Sequence, residues 1–298
     1  MSRRSLIIGA FGQVGRQLVS MLGADRVIAS SRQGGADGSL RLDLASFADD
    51  PRKAAALVEA LDLDAVYCLG AMTGVDGCEL EPDLAMRINC HAPAAFADAA
   101  ASHDIPFIFF SSEYVFDGAG GPYGEDAAAN PINIYGRSKL LGERAVAQRH
   151  PNALIVRTTV VYGPDPRERN FLYALRKALL SGRIFPTAAD QISTPSYNRD
   201  VAAAVVALVH GGAGGVFHVV GPERLSRFDF ATRAAGLMGL DRGKIVGLPT
   251  AELGQRAPRP LDAGLWSSKL GRVAPGVHMR NLEEALHDWA VDGIEGAA

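Results

Sequence analysis

The sequence predicts an α/β protein, a doubly wound parallel sheet of the Rossmann type with a smaller, interleaved C-terminal α/β unit. Three observations carry that expectation. Short runs that are apolar throughout alternate with helix-like segments over the first half of the chain, as parallel strands covered on both faces require. The first run leads straight into a glycine-patterned turn. After about residue 162 the alternation loosens, which marks a change of architecture.

The five runs are "SLIIGA", "DRVIAS", "DAVYCLG", "IPFIFFSS" and "NALIVRT". Beyond them, "NFLYALRKALLSG" and "RDVAAAVVALVHG" read as helices, "GVFHVVG" as a strand and the proline-rich "LPTAELGQRAPRPLD" as irregular structure. Residues 1–162 are expected to form a nucleotide-binding domain, with 199–221 returning to it, and 163–298 a smaller substrate-binding domain.

At 298 residues with 48% hydrophobic content, the chain has enough apolar material for a sizeable core. A net charge of −3 gives no global pull toward nucleic acid or anionic membrane. Leu6-Ile7-Ile8 is too short a run for a signal peptide, and no stretch approaches a membrane span. Cys68, Cys78 and Cys90 lack metal or disulfide spacing, and the seven histidines are scattered, so no metal site is expected and a reducing cytoplasm fits best.

Gly9-Ala10-Phe11-Gly12-Gln13-Val14-Gly15 follows the first strand and opens a helix carrying Val14, Leu18, Val19 and Leu22. Glycine spacing alone is a weak signal. In this context it places backbone N–H groups at a helix N-terminus, where a pyrophosphate is bound. The second strand ends in Ser30-Ser31-Arg32, without the carboxylate that would bind a free ribose 2′-OH. An arginine beside hydroxyls suits a 2′-phosphate, so NADPH is the expected cofactor and NADH the alternative. A solvated loop arginine is the bland reading. Asp43, ending the strand of "RLDLAS", is expected near the adenine, an exposed loop aspartate being the alternative.

The strand "IPFIFFSS" ends in Ser111 and Ser112 at the carboxyl edge of the sheet, where open α/β proteins bind ligands. Tyr135 and Lys139, in "NIYGRSKLLGE", are four apart and share one helix face. A neighbouring ammonium is expected to favour phenolate, bringing Tyr135 toward the range of a working acid. Ser112 would bind a carbonyl oxygen, Tyr135 would protonate it, and nicotinamide would give hydride to the carbon. Chance predicts about 0.1 such Tyr/Lys pairs from 7 tyrosines and five lysines, so a core tyrosine beside a surface lysine is the weaker reading.

At these residues the chain resembles extended short-chain dehydrogenases/reductases of the dTDP-4-dehydrorhamnose reductase type. "GAFGQVG", "SSEYVFDG", "PYGEDAAANPINIYGRSKLLGE", "RTTVVYG", "DQISTPSYNRDVA" and "APRPLDAGLWSSKL" occur in that family's order over nearly the whole chain. The resemblance implies NADPH-dependent reduction of the 4-keto group of a nucleotide-activated 6-deoxyhexose, dTDP-4-dehydro-L-rhamnose above others. It makes Ser112, Tyr135 and Lys139 the catalytic set. Cofactor contacts would come from Gly9, Phe11, Gly12, Gln13, Val14, Gly15, Ser31, Arg32, Asp43, Leu44, Leu69, Gly70, Ala71, Asn89, Tyr135 and Lys139, with Asn89 supporting the active-site helix. Substrate contacts would come from Thr73, Val75, Glu113, Val160 and Arg259.

Departures bear on the sugar. Val160 stands where the family has an aromatic wall, Glu113 where it usually has aspartate, and Cys68-Leu69-Gly70 where it has "NAA". Of Arg169, Arg183, Arg199 and Arg259, the last is the preferred phosphate ligand because planar donors suit paired phosphate oxygens. An NDP-sugar epimerase or dehydratase would share the Tyr/Lys helix but keep NAD through an acidic second strand, which Ser31-Arg32 argues against. A regulatory subunit similar to the methionine adenosyltransferase β-subunit would bind NADP without turnover. A homodimer is compatible with all three.

Overall fold

The computed structural model describes residues 4–34 and 38–291. Seven strands form one sheet: β1 (Arg4–Ile8), β2 (Val27–Ser31), β3 (Leu40–Arg41), β4 (Leu63–Cys68), β5 (Phe107–Ser112), β6 (Leu154–Thr158) and β7 (Gly215–His218). Their spatial order is β7-β6-β5-β4-β1-β2-β3, and every neighbouring pair is parallel. Five strands follow the five apolar runs, while Leu40–Arg41 and Gly215–His218 supply the two edges, so Asp43 lies past the end of β3 and not on it.

The runs are apolar throughout because both faces are covered. On one face Ile108, Val156 and Tyr67 pack against the helices Gln13–Leu22 and Asn198–His210. On the other, Phe107, Phe109, Ile155 and Cys68 meet the helices Arg52–Ala60, Ala92–Ala101 and Ile134–Arg149. Phe109 is wholly buried, and truncating it to alanine would cost about 3–5 kcal/mol.

A separate core gathers Tyr162, Leu172, Leu175, Tyr197, Phe230, Leu282 and Trp289 beside the sheet's carboxyl edge. Its strands are short pairs, such as Phe185–Ala188 with Ile245–Leu248, a parallel pair. The segment "APRP" is held by side chains from the other half. Ala257 N–H donates to Asp76 Oδ1 at 2.9 Å, and Asn133 Nδ2 donates to the Pro258 carbonyl at 2.9 Å. Together these bonds fasten the segment to the starts of the helices Val75–Leu80 and Ile134–Arg149.

Candidate functional site at the carboxyl edge of the sheet

The turn after β1 reaches a conformation only glycine tolerates well. Gly9 has φ +88°, and Gly12 N–H donates to its carbonyl at 3.0 Å. A Cβ at Gly15 would lie 2.4 Å from that same carbonyl oxygen, so the helix Gln13–Leu22 starts hard against the turn. Neither an acidic residue nor a side-chain cap occupies its first turn. Its N–H groups and positive dipole end are thus unspent, as a cradle for a diphosphate needs.

Around this loop the expected contacts take several forms. Leu69 and Gly70 N–H groups both donate to the Ile8 carbonyl, at 2.9 and 2.8 Å, which fastens the end of β4 to the turn. Val14 and Leu44 bury their side chains in the two main cores. Phe11 carries the Arg16 guanidinium over its ring at 5.4 Å, and Gln13 Oε1 accepts from Asn170 Nδ2 at 3.0 Å. Asn170 also caps the helix Phe171–Leu180, so the second core is tied directly to the glycine turn. At the end of β2, Ser31 is half-buried and Arg32 exposed. Asp43 caps the helix Leu44–Asp49, accepting from Ala45 N–H at 3.3 Å.

Ser112 ends β5, and its Oγ accepts from Tyr114 N–H at 3.3 Å in the turn Glu113–Val115. Tyr135 and Lys139 lie in the first turns of the helix Ile134–Arg149. Three contacts fix that helix start. Asn133 Oδ1 accepts from Gly136 N–H at 2.8 Å, Glu79 Oε1 accepts from Ile134 N–H at 2.8 Å, and Asn89 anchors Ser138 from below. Asn89 lies on a single π-helical turn, Arg87–His91, and is fully buried. Its Nδ2 donates to Ser138 Oγ and to the Met72 carbonyl, both at 3.0 Å, and its Oδ1 accepts from Met72 N–H at 2.8 Å. With both ends of its amide spent on protein, Asn89 joins the loop carrying Ala71 and Met72 to the helix carrying Tyr135.

The Tyr135 phenol lies beside the Ser112 side chain, and the Tyr114 ring meets it edge-on at 5.4 Å. Burial raises the Tyr135 pKa, outweighing the opposite pull of Ser112. This corrects the expected lowering of its pKa: desolvation, which helix spacing does not report, prevails over the nearby cation. Tyr135 is a neutral donor. Burial also lowers Lys139, to about 8, and its Nζ lies over the Phe109 ring at 4.1 Å. A protonated phenol beside a serine, with an ammonium one turn away, is equipped to deliver a proton to a carbonyl oxygen.

On the other side of Ser112, Glu113 is 3% exposed and bonded to the Thr159 hydroxyl. Burial pushes it up to about 7, against the pull of Arg227 and Thr159. Val160 has φ +37°, an uncommon conformation for a β-branched residue. Val75 begins a short helix and packs, with Met72, Tyr114 and Ile134, around Tyr135, while Thr73 is exposed nearby. Arg259 reaches this region already paired: its Nη2 is 3.0 Å from Asp76 Oδ1, and Nη1 donates to the Ala257 carbonyl at 2.9 Å. Arg169 and Arg183 are exposed, and Arg199 pairs with Asp288.

The arginine whose charge reaches both Glu113 and Tyr114 from the second core is Arg227, half-buried with its guanidinium over Phe171 at 5.6 Å. Sequence reading missed it, as it missed Thr159, Glu79 and Asn133. No motif marks Arg227, whereas Asn133 directly before a helix carried a cap signal. Among the described residues, no group of three or more His, Cys, Asp or Glu side chains is arranged to hold a metal.

A family model described as the RmlD substrate binding domain matches residues 3–292. The chain is 34% identical over 301 residues to a dTDP-4-dehydrorhamnose reductase of Mycolicibacterium smegmatis, covering 100% of this chain and 88% of the relative. It is 30% identical over 230 residues to methionine adenosyltransferase 2 subunit beta of Danio rerio, covering 75% and 70%. Among solved structures, dTDP-4-dehydrorhamnose reductase from Bacillus anthracis in complex with NADP superposes with a TM-score of 0.87 at 27% identity, covering 98% of this chain and 100% of that one.

Proposed function

Since the chain belongs to the RmlD substrate-binding-domain family, we propose that it is an NADPH-dependent reductase acting on the 4-keto group of a nucleotide-activated 6-deoxyhexose, dTDP-4-dehydro-L-rhamnose above others. The observation that carries this reading is the placement of the Tyr135 phenol beside the Ser112 side chain at the end of β5, with buried Lys139 on the same helix face.

The residues fit a dinucleotide. Gly9, Gly12 and Gly15 leave the backbone bare at an unspent helix start, while Ser31 and Arg32 supply hydroxyl and guanidinium donors for a 2′-phosphate. Bound NADPH supplies hydride to the carbonyl carbon. Ser112 donates a hydrogen bond to the substrate oxygen, Tyr135 gives it the proton, and Lys139 stabilises the charge left on the phenol. Glu113 and Thr159 face the sugar hydroxyls. Arg227 and Arg259 would meet the diphosphate, Arg259 in its pair with Asp76 and Arg227 from the second core beside Glu113. Val160, smaller than an aromatic wall, leaves more room beside the ring.

A panel of nucleotide 4-ketosugars, followed through NADPH absorbance at about 340 nm, tests the reading. Turnover of a dTDP-linked 4-keto-6-deoxyhexose is expected. Tight NADP binding without turnover of any sugar would favour a regulatory role like that of the β-subunit relative. Redox-neutral conversion with bound NAD would favour an epimerase or dehydratase.

A further inference from the structure

Lys139 is 1% exposed, and a lysine sealed from water tends to shed its proton. The titratable groups whose charges reach it are Cys68 from β4, Cys90 from the π-helical turn and Glu143 from its own helix. Burial pushes the Cys68 thiol up to about 12 and raises that of Cys90 as well, so both are neutral at physiological pH. Glu143 is different. Four positions after Lys139 it shares the same helix face, and Arg157 on β6 grips it twice, Nε to Oε1 at 2.9 Å and Nη2 to Oε2 at 2.6 Å. A carboxylate paired in this way with a guanidinium is an anion. Both partners are buried, so water screens their charges little.

Arg157 is itself held in place. It lies in register with Ser111 on β5 and His218 on β7, and its guanidinium stands over the Phe116 ring at 5.1 Å. The carboxylate is therefore fixed relative to both sheet and helix, and its distance to Lys139 is set by packing instead of by a mobile side chain.

We propose that Glu143, clamped by Arg157, is a positioning residue that keeps Lys139 in its ammonium form inside a dry site. The proposal rests on reading Lys139 as the active-site lysine. Glu143 does not touch substrate or cofactor. It acts through the lysine, and Arg157 acts through Glu143.

The test is a carbon-13 NMR titration of the lysine side chains in the unliganded protein, whose five lysines are few enough to resolve, with Lys139→Met to assign the signal. Glu143→Gln should lower the Lys139 midpoint by about one pH unit, and Glu143→Asp, which keeps the charge, should restore most of it. If Glu143→Gln fails to fold, the double variant Glu143→Gln/Arg157→Met removes both charges and should also lower the midpoint, by less than the single variant, because the guanidinium left unpaired in Glu143→Gln is gone. In turnover, kcat of Glu143→Gln should fall on the alkaline side and recover toward about pH 6, with KM for the sugar unchanged. An unmoved midpoint in these variants, or a loss of kcat equal at every pH, overturns the proposal. Because the NMR midpoint needs no turnover, a protein that reduces no sugar would defeat the reductase reading without deciding this one.

Discussion

Asn89 Nδ2 lies 3.0 Å from Ser138 Oγ, and Ser138 Oγ–H in turn donates to the Tyr135 carbonyl at 2.8 Å. The active-site helix is thereby pinned to the loop after β4 through a side chain that no solvent reaches. Asn89→Leu strands the Met72 N–H and removes one of the bonds to the Met72 carbonyl and to the Ser138 hydroxyl. Urea denaturation should show a loss of about 2–3 kcal/mol. A residual displacement of the helix should cut kcat by about a hundredfold, since misplacement of about 1 Å costs that much. Stability within about 0.5 kcal/mol of the parent would show that these bonds do not hold the helix.

Lys139 imposes a stability cost that depends on pH. Its ordinary value of 10.5 is lowered to about 8 in the fold, so between those values the unfolded chain binds the extra proton. Stability from this group therefore rises as pH climbs from about 8 toward 10.5, and its burial cost is fully present below about 8. Lys139→Met should stabilise the protein at neutral pH by about 3 kcal/mol, less whatever the contact with Phe109 returns, while abolishing turnover. The advantage should shrink steadily above pH 8. Denaturation curves at three pH values decide it, and an advantage that grows with pH would contradict the assignment.

Arg32 is exposed at the end of β2, where a 2′-phosphate would meet it. Arg32→Ala should weaken NADPH binding by about tenfold, the value of one charge-assisted contact, and leave NADH binding unchanged. Calorimetric titration with both cofactors measures the difference. Equal losses would remove Arg32 from the cofactor site.

The fold was legible because burial on both faces writes itself into the runs: "FIFFSS" and "LIVRT" admit no alternation. The Tyr135/Lys139 pair was legible because helix spacing is local. Its protonation was not, since the burial that sets it comes from packing against elements distant in sequence, such as Phe109 on β5 beneath the Lys139 ammonium. Arg259 was read as the preferred phosphate ligand, with no sign of its partner Asp76, which lies 183 positions away. Glu143 and Arg157 meet across helix and strand for the same reason, and Arg227 reaches Glu113 only because the second core folds back over the sheet edge. What escaped the sequence is the pairing of charges that packing brings together.

Transfer of deuterium from (4-²H)NADPH to the sugar tests the central claim most directly, with the product read by NMR. With a dTDP-4-keto-6-deoxyhexose the protein should place deuterium on C4 of the sugar. Tyr135→Phe should bind NADPH nearly as well and transfer none, because it loses the proton donor and keeps the binding site. Deuterium transfer undiminished in Tyr135→Phe, or no transfer to any sugar by the parent protein while it binds NADPH tightly, would contradict the account.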